Sequence, residues 1–264
     1  MKLNAHCSIE RAANGVVRLT IAEAGKANIL STPVIEALTD GLAELSREAG
    51  LRALVLTGTG DRSFIGGADI GEMARLEQAS GEAFIRRLSG LCEAVRYFPA
   101  PVVARIQGWC LGGGLELAMA CDMRIASPGA HFAMPEVKVG IPSVIHAALM
   151  PRLIGMGRTR WMILTGGAID AAKALDWGLV DMVSGEAGLD AAVVDALSPI
   201  LECGPEVIAS QKALMREWEE LPLSSAIEVS VPVFGRAFTT GEPQRAMQAF
   251  LDAKAKRRAA DAVA

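Results

Sequence analysis

The run Gly108-Trp109-Cys110-Leu111-Gly112-Gly113-Gly114-Leu115-Glu116-Leu117-Ala118 decides how this chain folds, because a strand must end and a helix begin around it. Upstream, Pro99 and Pro101 close a helix, and Val-Val-Ala-Arg-Ile at 102–106 reads as a strand. The glycines at 108–114 read as a loop, and residues 115–121 as an apolar helix. Strand, glycine loop and helix in that order indicate α/β architecture.

The same order recurs further out. Residues 52–57 form a mostly apolar strand that leads into Phe64-Ile65-Gly66-Gly67-Ala68-Asp69-Ile70. A helix follows Ser80, marked by Phe84, Leu88, Leu91, Val95 and Phe98. Earlier still, residues 7–13 and 16–22 should pair across Asn14-Gly15, a turn favoured where positive φ is needed. Thr32 can cap a helix with Pro33 in its first turn, Ile35, Leu38, Leu42 and Leu45 on one face, and Gly50 as its stop. Short strands are expected at 123–126 and 131–134. After about residue 185 the strands disappear, and helices are expected at 191–201, 205–219, 225–238 and 243–258. Ser225-Ala226-Ile227-Glu228 fits a capping box, Pro243 fits a first turn, and Pro232 should kink its helix. The chain therefore divides into an α/β part, 1–190, and a helical part, 191–264.

Composition narrows the class. Half of the 264 residues are apolar and 21% are charged, as in an ordinary soluble globular protein. The net charge of −4 argues against a general nucleic-acid binder. No charge-free apolar stretch is long enough to span a bilayer, and the first residues lack the apolar segment of a secretory signal. Cys7, Cys92, Cys110, Cys121 and Cys203 form no Cys-x-x-Cys pair, so no zinc site or disulfide framework is indicated, and buried thiols in a reducing cytosol are expected.

Two acidic residues stand out. Glu116 has no other polar side chain near it between 111 and 120. A carboxylate buried without a partner is costly, so either its pKa rises for a functional reason or it pairs structurally, with Arg105 or Arg124 as candidates. Glu136 sits among Met134, Pro135, Val137 and Val139, where a solvated loop carboxylate is the plain alternative. Gly112-Gly113-Gly114 would let a ligand approach the backbone and leave amides free at a helix start, a setting suited to developing negative charge. Gly66-Gly67-Ala68 offers a second such donor. Neither loop matches a phosphate-loop or dinucleotide fingerprint.

Together these segments resemble the crotonase (enoyl-CoA hydratase/isomerase) superfamily. The resemblance covers nearly the whole chain. It rests on Lys26-Ala27-Asn28, Gly67-Ala68-Asp69-Ile70-Gly71-Glu72-Met73, the triple glycine with Glu116, Cys121-Asp122, and Pro135-Glu136 twenty residues after Glu116. It continues through Pro151-Arg152-Leu153-Ile154-Gly155 and Leu164-Thr165-Gly166. The resemblance implies a crotonase-like spiral of repeated ββα units with a C-terminal helical trimerisation region. It implies that the Ala68 and Gly113 amides hold a thioester carbonyl and that Glu116 and Glu136 face the Cα and Cβ atoms of the acyl group. Lys26, Ala27, Asp69, Ile70, Gly71, Gly112, Pro135 and Gly140 would contribute to substrate binding. The implied substrate is an acyl-CoA, with coenzyme A part of the substrate and no separate cofactor or metal. The implied assembly is a homotrimer or a dimer of trimers, cytoplasmic, with no nucleic-acid or membrane partner.

Retention of both glutamates favours a hydratase. An enoyl-CoA isomerase or acyl-CoA hydrolase on the same fold is the nearest rival, and a non-catalytic RNA-binding relative a more distant one, supported only by Arg86-Arg87 and the basic run at 254–258. Many hydratases carry a Pro-Gly-x-Gly-Gly-Thr-Gln-Arg-Leu-like run after the position of Gly140. This chain has Ile141-Pro142-Ser143-Val144-Ile145-His146-Ala147 there, next to the expected acyl pocket. His146 would be either a satisfied helix histidine or a substrate contact, and Ser143 beside it raises a weaker serine-hydrolase reading. Val231, Val233, Phe234, Phe238, Met247 and Phe250 suit either a subunit interface or internal packing.

Overall fold

Strands Cys7–Arg11 (β1) and Val16–Ile21 (β2) pair antiparallel, with Cys7 opposite Ile21, in a computed structural model that describes residues 1–261. Their turn differs from the expected two-residue form. Only Gly15 has positive φ (83°), and its N–H donates to Ala12 O at 3.1 Å, so a three-residue loop closes the hairpin.

Two sheets follow from three repeats of one unit. Ala53–Gly58 (β3), Val102–Ile106 (β5) and Met123–Ala126 (β7) lie parallel in a six-stranded sheet of order β1-β2-β3-β5-β7-β10, where β10 is Met182–Val183. The next strand of each repeat, Ser63–Ile65 (β4), Trp109–Leu111 (β6) and His131–Ala133 (β8), enters a second sheet of order β4-β6-β8-β9, with Ile169–Asp170 as β9. β3 is buried along its whole length, as an apolar run inside a parallel sheet must be. This is the expected spiral of ββα units. The glycine-rich stretch 108–114 is more structured than a loop, since β6 runs through it and the helix Gly113–Ala120 (α4) starts two residues early.

Helix Thr32–Leu45 (α1) is not capped by Thr32, which is its first residue. The N-cap position belongs to Ser31, and its side chain makes no capping bond. The cap comes instead from Glu72, on the short helix Ile70–Met73 (α2): its carboxylate accepts from Thr32 N at 2.9 Å and from the Thr32 hydroxyl. Helix Gln78–Arg96 (α3) begins before Ser80, whose Oγ accepts from Glu77 N at 2.9 Å. Its face of Phe84, Leu88, Leu91 and Val95 is buried as the spacing predicted. Met150–Thr165 (α5) is broken at Gly155 (φ 75°), and Ala171–Trp177 (α6) is capped by Asp170.

The chain separates into two compact units, residues 1–199 and the residues from Ile200 onward, the division falling within helix Leu189–Leu201 (α7). The second unit contains helices Pro205–Glu220 (α8), Leu223–Ala237 (α9) and Glu242–Asp261 (α10). The capping box expected at Ser225 does not form, because α9 already starts after Pro222 and Ser225 lies inside its first turn. Glu242 instead receives the Glu206 and Val207 N–H groups at 3.2 and 3.0 Å, closing the start of α8. Val231, Phe234, Phe238, Met247 and Phe250 are exposed, so internal packing does not account for them. Residues 262–264 of the expected helical part lie outside the described residues. No described helix is long and apolar enough to cross a membrane.

Replacing Glu72 by Ala removes the acceptor for the first N–H of α1. We expect a loss of about 1 kcal/mol of stability, of the size of a lost N-cap, read from the midpoint of urea unfolding.

Candidate active site

Helix α4 is buried at every residue from Gly113 to Ala120, Glu116 included at 3% exposure. The three glycines before and at its start are needed for separate reasons. Gly112 adopts φ 51°, ψ −123°, and a Cβ there would collide with Glu136 Oε1. A Cβ on Gly113 would come within 2.8 Å of Leu88 Cδ2, and one on Gly114 within 2.6 Å of Ile65 Cβ. The missing side chains thus make room chiefly for the protein's own groups, rather than for a ligand as the sequence suggested.

Neither Arg105 nor Arg124 is paired with Glu116. Arg105 Nε bonds Asp190 at 2.7 Å, and Arg124 pairs with Asp181 at 2.9 Å and donates to the carbonyls of Leu179 and Cys121. Both arginine pairings suggested by the sequence are therefore excluded. The bond to the Glu116 carboxyl comes from Ala147 N–H, at 2.9 Å to Oε1. Burial is the main cause of a pKa raised to about 8; the Ala147 bond opposes it and the charge of Glu136 adds to it.

Glu136 begins the 3-10 turn Glu136–Val139 and is half-buried. It is not a freely solvated loop carboxylate, because Ser143 Oγ donates to its Oε2 at 2.8 Å. Ser143 is thereby committed to Glu136, while His146 Nε2 lies 2.6 Å from Glu93 Oε1. Ser143 and His146 are not hydrogen-bonded to each other, which removes the serine-hydrolase reading. His146 is buried and does not line the cavity that holds the two glutamates. Its pKa is lowered, first by burial, against the opposing pull of Glu93.

That cavity has a volume of about 240 Å³. Glu116 and Glu136 line it together with Ala68, Ile70, Gly112, Gly113 and Pro135. Among the described residues, the backbone N–H groups of Ala68 and Gly113 donate to no protein acceptor. Gly113 is the first residue of α4, where such N–H groups have no intrahelical partner and the helix dipole favours negative charge. Met73, Phe84, Leu88, Val139, Ile141 and Val144 give the remaining wall an apolar character. Asp69 and Gly71 line a neighbouring, more open depression shared with Ala68 and Ile70. Lys26, Ala27 and Gly140 line neither, although Ala27 O accepts from Gly66 N at 2.8 Å beside the first. No group of three or more His, Cys, Asp or Glu residues suited to a metal occurs among the described residues.

Residues 11–258 match the sequence profile of the enoyl-CoA hydratase/isomerase family. The chain belongs to this family. It is 31% identical to the short-chain-enoyl-CoA hydratase of Clostridium acetobutylicum, over 90% of this chain and 91% of that protein. It is 32% identical to the crotonyl-CoA hydratase of Syntrophomonas wolfei, over 85% of this chain and 87% of that protein. The crystal structure of an enoyl-CoA hydratase from Bacillus anthracis superposes with a TM-score of 0.88 at 30% identity, covering 94% and 96% of the two chains. A Mycobacterium smegmatis enoyl-CoA hydratase superposes with 0.90 at 27% identity, covering 94% and 97%. The crotonase-type fold and family expected from the motifs are those found. Two contacts of this family member escaped the sequence: the Ser143 hydroxyl on Glu136 and the Ala147 amide on Glu116. The first was within reach of a hydroxyl-counting argument; the second comes from a backbone group and carries no side-chain signal.

The raised pKa of Glu116 has a consequence for stability. The folded protein holds this proton between the ordinary value of 4.5 and about 8, so folding stability is lost as pH rises through that window. Glu116→Gln keeps an acceptor for Ala147 and cannot ionise. It should be more stable than the parent at pH 8.5 by roughly 1–3 kcal/mol and equal to it near pH 4, as measured by chemical denaturation at the two pH values.

Proposed function

We propose that this family member is an enoyl-CoA hydratase, adding water across the 2,3 double bond of a 2-enoyl-CoA to give a 3-hydroxyacyl-CoA. The observation that carries the reading is the meeting of two carboxyl groups and two unpartnered amides, Ala68 and Gly113, on one largely apolar cavity.

Addition of water to Cβ moves electron density through Cα to the thioester oxygen. Two N–H donors fixed in the backbone stabilise that enolate without reorganising, and losing one such donor costs on the order of 10²–10³ in rate. Glu116 takes a proton from the water as its oxygen bonds Cβ, and Glu136 delivers a proton to Cα. The cycle closes when the proton gained by Glu116 is passed on and Glu136 is reprotonated. Ser143 fixes the Glu136 carboxylate for this transfer. Coenzyme A belongs to the substrate, and its groove runs past Asp69, Ile70 and Gly71; no separate cofactor takes part.

The raised pKa of Glu116 supports a second division of labour, in which Glu116 is the proton donor and Glu136 the base. The exposed apolar residues of α9 and α10 support a homotrimer or a dimer of trimers built on the helical tail. A cytoplasmic enzyme of fatty acid or related acyl-CoA metabolism fits the burial of Cys7, Cys92, Cys110 and Cys121, although Cys203 is exposed and departs from the expectation of buried thiols.

Glu116→Gln and Glu136→Gln should each lower kcat for crotonyl-CoA hydration by at least about 10²-fold, as for lost acid–base groups. Near-parental turnover by either variant would remove the two-carboxyl mechanism. With Glu116 as base, kcat/KM climbs as pH rises through about 8; a fall over that range would exchange the two roles. Separating hydration from isomerisation products by chromatography distinguishes hydratase from isomerase.

A further inference from the structure

The segment that replaces the family's glycine-rich run contains a backbone outlier next to the site. Ile145 has φ +43°, a conformation β-branched residues rarely adopt. It opens the 3-10 turn Ile145–Leu149, and two residues later Ala147 N–H points at Glu116. That N–H is shared, since it also lies 3.0 Å from Val144 O. Without some hold on the turn, the amide could settle on Val144 alone.

The hold comes from α3. Glu93 Oε1 lies 2.6 Å from Nε2 of the buried His146, the residue between Ile145 and Ala147. With Glu93 ionised, Nε2 carries the hydrogen, and Nδ1 is the lone-pair nitrogen of a neutral ring. Nδ1 has no hydrogen-bond partner and is buried, which a neutral acceptor tolerates far better than an N–H would. Arg96 Nη1 lies 3.2 Å from the same Glu93 oxygen, so Arg96 and His146 meet one carboxyl group of α3. The same helix walls the cavity through Phe84 and Leu88. A single rigid element therefore fixes both the acyl wall and the turn that addresses Glu116.

We propose that Glu93 and His146 form a positioning clamp, which holds the strained turn 145–147 so that the Ala147 amide is delivered to the Glu116 carboxyl. Neither residue touches the reacting atoms. The clamp acts on Glu116 alone, since Glu136 is held separately by Ser143. It rests on the assignment of Glu116 as an acid–base group in the hydratase reading. The groups facing Glu116 are Glu136 from the 3-10 turn, the Ala147 amide, and Cys92 of α3. Those facing His146 are Glu93 and Arg96, both on α3.

The test uses the full chain with Glu93→Gln, His146→Leu and the double variant. His146→Leu breaks the clamp while leaving the Glu93–Arg96 pair in place. Glu93→Gln keeps a neutral acceptor for Nε2. For His146→Leu we expect kcat on crotonyl-CoA to fall about 10- to 100-fold, the scale of a misplaced catalytic group, with KM within about twofold. The Glu116 ionisation midpoint, followed by carboxyl ¹³C NMR and assigned with Glu116→Gln, should move to higher pH, because an N–H that favours the anion is weakened. Glu93→Gln should retain most of kcat, and the double variant should be no worse than His146→Leu. An unmoved Glu116 midpoint in a folded His146→Leu protein, or a double variant clearly slower than His146→Leu, would overturn the clamp. The NMR titration needs no turnover, so a parent protein that does not hydrate crotonyl-CoA would count against the hydratase reading while the clamp was still decided.

Discussion

A carboxyl group inside an apolar helix is the constraint around which the rest of the site is arranged. Ionised, it would demand a counter-charge or several donors; neutral, it needs little more than one hydrogen bond. Glu116 has a shared amide, and burial dominates its environment, so the protein has placed it on the neutral side of that choice at neutral pH. The arginines that might have neutralised it are engaged elsewhere, on Asp190 and Asp181. A cation at Glu116 would stabilise the carboxylate and leave it a poor proton carrier. Engaging those arginines elsewhere keeps its proton affinity within reach of physiological pH, which acid–base work requires.

The glycines serve the same constraint. Gly112 leaves room for Glu136 Oε1 beside the start of α4, so the second carboxyl is brought up to the cavity without displacing the helix. Gly113 and Gly114 let Leu88 and Ile65 close against α4, which keeps the helix buried and its first amide fixed. Packing and chemistry are therefore not separable here: a methyl group at any of the three would disturb the geometry before it touched a substrate.

Much of this could be read in the sequence, and the remainder failed for identifiable reasons. The ββα order was legible because apolar strands such as Ala53–Gly58 and the amphipathic face of α3 have distinct periods. Glu116 is legible because it interrupts an apolar run, whereas Glu136 joins it only through the family resemblance. The strand Trp109–Leu111 carries no strand signal in the sequence, since three residues are too few for a period to show. The α1 cap was missed because it arrives from Glu72, forty residues on, and no local rule can see such a donor–acceptor pair. The Ser225 box was a valid local signal overruled by an earlier helix start after Pro222. The partners of Arg105 and Arg124 are likewise set by tertiary packing, which brings Asp190 from the first turn of α7 and Asp181 from the residue before β10 alongside strands remote in sequence.

The choice between adding water and moving a double bond turns on how many protons must be handled at once. An isomerisation can be served by one carboxyl that removes a proton from one carbon and returns it to another. Hydration needs a proton taken from water and another delivered to Cα, so two groups in different protonation states suit it better. The structure provides for such a difference: Glu116 is buried with one shared amide, whereas Glu136 is half-buried and held by a hydroxyl. Ionisation of one raises the cost of ionising the other, as the effect of Glu136 on Glu116 shows. Burial does most of this at Glu116, so the two carboxyl groups meet the substrate from unlike surroundings, which suits a reaction in which one activates water while the other protonates carbon.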